Sequence, residues 1–87
     1  MSKYKRIDHE INKINAEKST DEYLFKIINT ILNDDDLKKV SGIGRNSFAV
    51  QTRDYYKKHK RFSDKQRSAL IRTLGVYKDN LGNANLL

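Results

Sequence analysis

Few side chains here are of the types that do acid–base, nucleophilic or metal chemistry. Of 87 residues, two are His and none is Cys. His9 lies between Asp8 and Glu10. Adjacent residues on a helix do not face each other, so this trio is no catalytic dyad. Lys13 and Glu17 are its neighbours along a helix, and a surface helix accounts for all of them. His59 stands in the other half of the chain, among Lys57, Lys58, Lys60 and Arg61. It reads as a surface residue or a nucleic-acid contact. Asp34-Asp35-Asp36 is the longest run of carboxylates, and acids at a helix start serve as caps and dipole partners. The absence of Cys excludes a thiolate zinc site, a cysteine nucleophile and a disulfide scaffold. No Walker loop, GxGxxG, His-Glu-x-x-His or EF-hand frame occurs. A metal-independent nuclease needs an acid–base pair beside a phosphate clamp, and two histidines this far apart do not supply one. The expectation is a non-enzymatic protein with no catalytic residue, metal or cofactor.

What the chain has in quantity is positive charge, placed unevenly. The net charge is +7. Through Ile43, eight Lys/Arg meet eight Asp/Glu; from Gly44 onward, ten Lys/Arg meet only Asp54, Asp64 and Asp79. The whole excess thus falls in the second half, chiefly at Arg53, Lys57, Lys58, Lys60, Arg61, Lys65, Arg67 and Arg72. Such a field suits a polyanion, and its plain alternative is a solvated face that aids solubility. No apolar run approaches the ~20 residues of a membrane span, and the N-terminus lacks a signal-peptide core. A cytoplasmic setting is expected.

These cations need elements to hold them. Hydrophobic spacing predicts an all-α single domain of four to five short helices. Tyr4, Ile7, Ile11 and Ile14 form a narrow seam on a helix over Lys3 to Lys18. It suits one neighbouring helix, in the same chain or in a second copy as a homodimer. Ser19-Thr20-Asp21-Glu22 fits a capping box for a second helix reaching about Leu32. Leu24, Ile27, Ile28, Ile31 and Leu32 give that helix a wide apolar stripe, the expected centre of the core. Leu37 to Val40 is a short helical turn before Ser41-Gly42-Ile43-Gly44. A helix to about His59 follows, with Phe48, Thr52, Tyr55 and Tyr56 on one face. Ser63 and Gln66 make a second capping box. Leu70, Ile71 and Leu74 face inward on the last helix, Gly75 takes its C-terminal cap, and Val76 closes on Ile71. Residues 1–43 then form a neutral packing half, 44–78 a basic binding half and 79–87 a loose tail, with docking of Leu81, Leu86 and Leu87 as its alternative.

Two resemblances bear on the basic half. The stretch from Leu37 to Ala49, with Val40, Gly42, Ile43 and Gly44 in an apolar-x-Gly-apolar-Gly frame, resembles a helix-hairpin-helix element. That resemblance implies a DNA phosphate held by the backbone of Gly42, Ile43 and Gly44, with Arg45 adding charge and Ser47 a hydroxyl. Ser41, Phe48 and Gln51 depart from the family, which favours Pro, a small residue and an aliphatic there; an ordinary helix–helix turn punctuated by Gly is the alternative. The segment from Ser47-Phe48 through Arg61-Phe62-Ser63-Asp64-Lys65-Gln66 looks like small helical modules of bacteriophage proteins, and the short, Lys-, Asn- and Ile-rich, Cys-free chain as a whole is similar in style to basic early proteins of T-even-type bacteriophages, RNA-binding inhibitors of ToxN-like toxin endoribonucleases among them. This resemblance implies RNA binding and toxin neutralisation in the host cytoplasm.

The residues themselves point to a phosphate-gripping surface made of Arg45, Arg53, Lys57, Lys58, Lys60, Arg61, Lys65, Arg67 and Arg72. Aromatics interleaved with cations over Tyr55 to Phe62, if the rings are exposed, favour single-stranded or irregular RNA over smooth duplex, with Tyr56 as the stacking platform. Core packing is the alternative for Tyr55, Tyr56 and Phe62. A protein-binding inhibitor of a host enzyme, such as a toxin endoribonuclease, using the same basic face is the rival function.

Overall fold

The computed structural model describes residues 2–43 and 47–87. Its helices, in chain order, are α1 (Lys3–Asn12), α2 (Asp21–Leu32), α3 (Asp35–Lys39), α4 (Ser47–His59) and α5 (Asp64–Asn83). There is no strand among the described residues. The fold is all-α, as expected.

The wide stripe makes α2 the hub. Leu24, Ile27, Ile28, Ile31 and Leu32 are all buried, and α2 packs against every other helix. The narrow seam of α1 buries Ile7 and Ile11, with Tyr4 and Ile14 packed beside them. α1 lies against α2 and α5, so this chain covers its own seam. Of the two neighbours that the seam suits, helices of the same chain pack on it.

Helix ends follow local chemistry, with three departures from expectation. α1 stops at Asn12 rather than Lys18. Asn15 explains this: its side-chain oxygen accepts from the amides of Glu17 and Lys18 at 2.9 and 3.1 Å, while its own amide donates to Ser19 Oγ at 2.8 Å. That side-chain turn competes with helix continuation. Thr20, not Ser19, then caps α2 through the Tyr23 amide. Asp34 caps α3, accepting from Asp36 and Leu37 amides. The Leu37 amide, then Lys3, hold the Asp34 carboxyl below its usual range. Ser63 and Gln66 form the expected reciprocal box on α5.

The largest departure is the end of α5. Gly75 is an ordinary helical residue, and Val76 is 51% exposed rather than folded back on Ile71. The stripe Leu70-Leu74-Tyr77-Leu81 is fully buried, and this periodic burial carries the helix past Gly75. The Schellman closure occurs instead at Asn85 (φ 57°). There the Leu86 amide donates to the Leu81 carbonyl at 3.1 Å and the Asn85 amide to Gly82 at 3.0 Å. Residues 79–87, expected as a loose tail with Leu81, Leu86 and Leu87 able to dock, supply buried Leu81 and the half-buried Leu86, while Leu87 is exposed.

Tyr77 and Gly42 join α5 to the α3 side. The Tyr77 hydroxyl, fully buried, donates to the Leu37 carbonyl at 2.8 Å. Burial pushes its ionisation well above the usual tyrosine range. Gly42 has φ +119°, and a Cβ there would stand 3.2 Å from Tyr77 Cα. Asn80 Nδ2 donates to the Ser41 carbonyl at 2.8 Å across the same contact. Gly42→Ala meets both an unfavourable φ and helix backbone. It should cost about 2 kcal/mol or more, read as a lowered urea midpoint with unchanged m-value.

Candidate nucleic-acid interface

The α4–α5 turn gathers five cations within nine residues. Lys57 and Lys58 are in the last turn of α4, Lys60 and Arg61 in the connection, and Lys65 in the first turn of α5. All five are exposed, and none forms an ion pair among the described residues. Asp64 is the only carboxylate in the same stretch. Arg72 is also exposed and unpaired, two helical turns beyond Lys65 on the same face of α5, about 10 Å along the axis.

Two of these lysines stand where local preference disfavours them. Lys60 has φ +60°, a left-handed conformation that costs a residue with a Cβ roughly 1 kcal/mol. Its amide donates to the Tyr56 carbonyl at 2.7 Å, ending α4 in the manner usual for glycine. Lys65 places a cation at the positive end of the α5 dipole, next to Asp64 but in no ion pair among the described residues. Local rules broken in this way concentrate at sites kept for something other than stability. Lys60→Gly should therefore raise stability by about 0.5–1 kcal/mol, a rise of a few degrees in Tm, while weakening polyanion binding. A calorimetric scan paired with a binding titration reads both signs.

Other expected contacts are placed differently. Arg67 is turned inward, with its side chain only 18% exposed. Its Nη1 donates to Asp21 Oδ1 at 2.8 Å, and its Nη2 to the carbonyls of Ala16 and Ser19. Asp21 Oδ2 also accepts the Phe62 amide at 3.0 Å. Arg67 is thus a tie between α5 and the loop before α2, because Asp21 and two open carbonyls meet it there. Arg53 is half-buried and its Nε lies 3.2 Å from Asp54 Oδ1. Lys78, outside the expected set, pairs with Asp8 at 3.5 Å.

The aromatic residues also divide. Tyr56 stacks on Phe25 with centroids 4.4 Å apart and contacts Phe62 at 5.2 Å. Its position as a base platform is taken by packing, since Ala49, Thr52 and Tyr56 form the inward face of α4. Tyr55, expected on that face, instead pairs with His59 at 4.3 Å.

The hairpin residues are only partly in view. Gly44 and Arg45 lie outside the described residues, as does the side chain of Ser47, whose backbone opens α4. Ile43 is fully buried, and Gly42 turns its open side to the α5 backbone. Packing therefore accounts for Gly42 and Ile43 without a phosphate.

Among the described residues, no group of three or more His, Cys, Asp or Glu could hold a metal ion, and no helix is long and apolar enough to cross a membrane. Asp34 and Asp36 are engaged by Lys3 Nζ at 3.1 and 2.9 Å, which joins α1 to α3. Comparison with protein-family models, with curated proteins and with solved structures finds no match to this chain.

Proposed function

We propose that this protein is a non-enzymatic nucleic-acid-binding protein that grips the phosphate backbone, RNA in preference to DNA, at the α4–α5 turn. One observation carries the reading: Lys57, Lys58, Lys60, Arg61 and Lys65 are gathered within nine residues, exposed and in no ion pair among the described residues. Phosphates that replace condensed counterions with these side chains gain affinity largely through counterion release. The strained backbone at Lys60 supports a purpose for the charge beyond solubility. The working set is Lys57, Lys58, Lys60, Arg61, Lys65 and Arg72; Arg67 holds the turn in place. The resemblance to phage early proteins extends the proposal to a counter-defence factor acting through RNA.

Purified protein titrated against a fluorescent single-stranded RNA at about 100 mM salt should saturate with a Kd of roughly 10⁻⁴–10⁻⁶ M, the range of non-specific contacts. Absence of saturable binding to RNA and DNA alike contradicts the proposal. In a pull-down from cells, a single protein retained after nuclease treatment points instead to the inhibitor reading.

A further inference from the structure

We propose that Tyr55 and His59 form a platform on which an unpaired RNA base stacks, so that the protein selects single-stranded over duplex RNA. This rests on the phosphate-gripping reading above and names the form of nucleic acid it takes. Tyr55 and His59 are four residues apart on α4, the spacing that brings side chains onto one face. Their ring centroids are 4.3 Å apart with planes inclined by 37°. His59 is exposed and Tyr55 half-exposed, and Tyr55 is not among the residues packed against the core cluster.

The contrast with the next residue is informative. Tyr56 is held between Phe25 and Phe62, where it serves the α2–α4 contact. Tyr55 has no such role, and its hydroxyl makes no hydrogen bond among the described residues. A half-exposed ring within six residues along the chain of the exposed Lys58, Lys60 and Arg61 has the composition of a single-strand site: an aromatic face for a base, with cations for the adjoining phosphates. Lys58 is three residues from Tyr55 and therefore on a neighbouring line of the helix. Lys57 lies roughly 160° around α4 from Tyr55 and cannot share that base; it can hold only backbone that wraps the helix end. Duplex RNA keeps its bases stacked inside and offers nothing to this ring pair.

The test uses the whole protein and an RNA of about 12 nucleotides carrying one 2-aminopurine, single-stranded or annealed to its complement. Binding of the single strand should change the 2-aminopurine fluorescence, and affinity should exceed that for the duplex. Tyr55→Ala should weaken single-strand binding by about 5- to 100-fold. It should leave duplex affinity, the salt dependence and the Tm unchanged. Tyr55→Phe should restore single-strand binding, and His59→Ala should give a smaller loss. If Tyr55→Ala binds both forms as the parent does, the platform is refuted while the phosphate grip stands. If the parent binds neither form, both proposals fail together.

Discussion

Asp21→Ala should destabilise the protein by about 3 kcal/mol and lower its Tm by roughly 10–20 °C. Asp21 receives two donors from the far end of the chain: Arg67 Nη1 at 2.8 Å and the Phe62 amide at 3.0 Å. Both partners of the ion pair are mostly buried, with side chains 29% and 18% exposed. Removing the carboxylate leaves a guanidinium short of its charge partner and a backbone amide without an acceptor. Each is a charge-assisted bond worth about 1.5–3 kcal/mol, discounted for the remaining solvent contact. Arg67→Ala should cost about 2–3 kcal/mol, because it strips the same carboxylate and two carbonyls. Arg67→Lys should recover only part of this, since an ammonium cannot reproduce the fork. By contrast, Arg72→Ala should stay within about 0.5 kcal/mol of the parent, as expected at an exposed unpaired position. Thermal melts of the four variants check the order. Equal effects for Arg67 and Arg72 would contradict the inward placement of Arg67.

Neutralising the turn should produce the opposite pattern. Lys57→Gln, Lys58→Gln, Arg61→Gln and Lys65→Gln combined should lower RNA affinity by roughly three orders of magnitude, at about 1 kcal/mol per phosphate contact. Stability should hold or rise, because four like charges no longer repel. The two sets of changes should thus separate: the Arg67 variants in stability, the turn variant in RNA affinity. A folded quadruple variant that binds RNA as tightly as the parent would exclude the turn as the interface.

Much of this architecture was legible in the residue pattern, for physical reasons that differ by element. The stripe from Leu24 to Leu32 is wide and strictly helical in period, so it identifies α2 and its burial without further information. The Ser63–Gln66 box is a local motif and needs no tertiary context. The end of α5 was not legible, because Gly75 suits a cap locally while Tyr77 and Leu81 reward continuation only once α2 and α3 are in place. A signal did exist: Leu70, Leu74, Tyr77 and Leu81 keep one helical face through the glycine.

The site divides in the same way. Charge asymmetry located the basic half, but sequence spacing cannot distinguish a cation facing water from one facing an acid 46 residues away, as Arg67 does. Nor can it separate Tyr55 from Tyr56, since neighbours on one edge of a helix differ in burial only through what packs against them. The left-handed backbone at Lys60 is equally silent in composition, because lysine gives no turn signal there. Gly42 shows the converse: a glycine that fits a phosphate-binding frame is required by its approach to Tyr77.

The most direct test of the cationic turn is the salt dependence of RNA binding. Log affinity against log salt should be linear for the parent, with a slope near −4 if all six of Lys57, Lys58, Lys60, Arg61, Lys65 and Arg72 meet phosphates. That corresponds to a loss of roughly 300-fold between 50 and 200 mM salt. A slope shallower than about −1 would mean that these side chains do not hold a phosphate backbone.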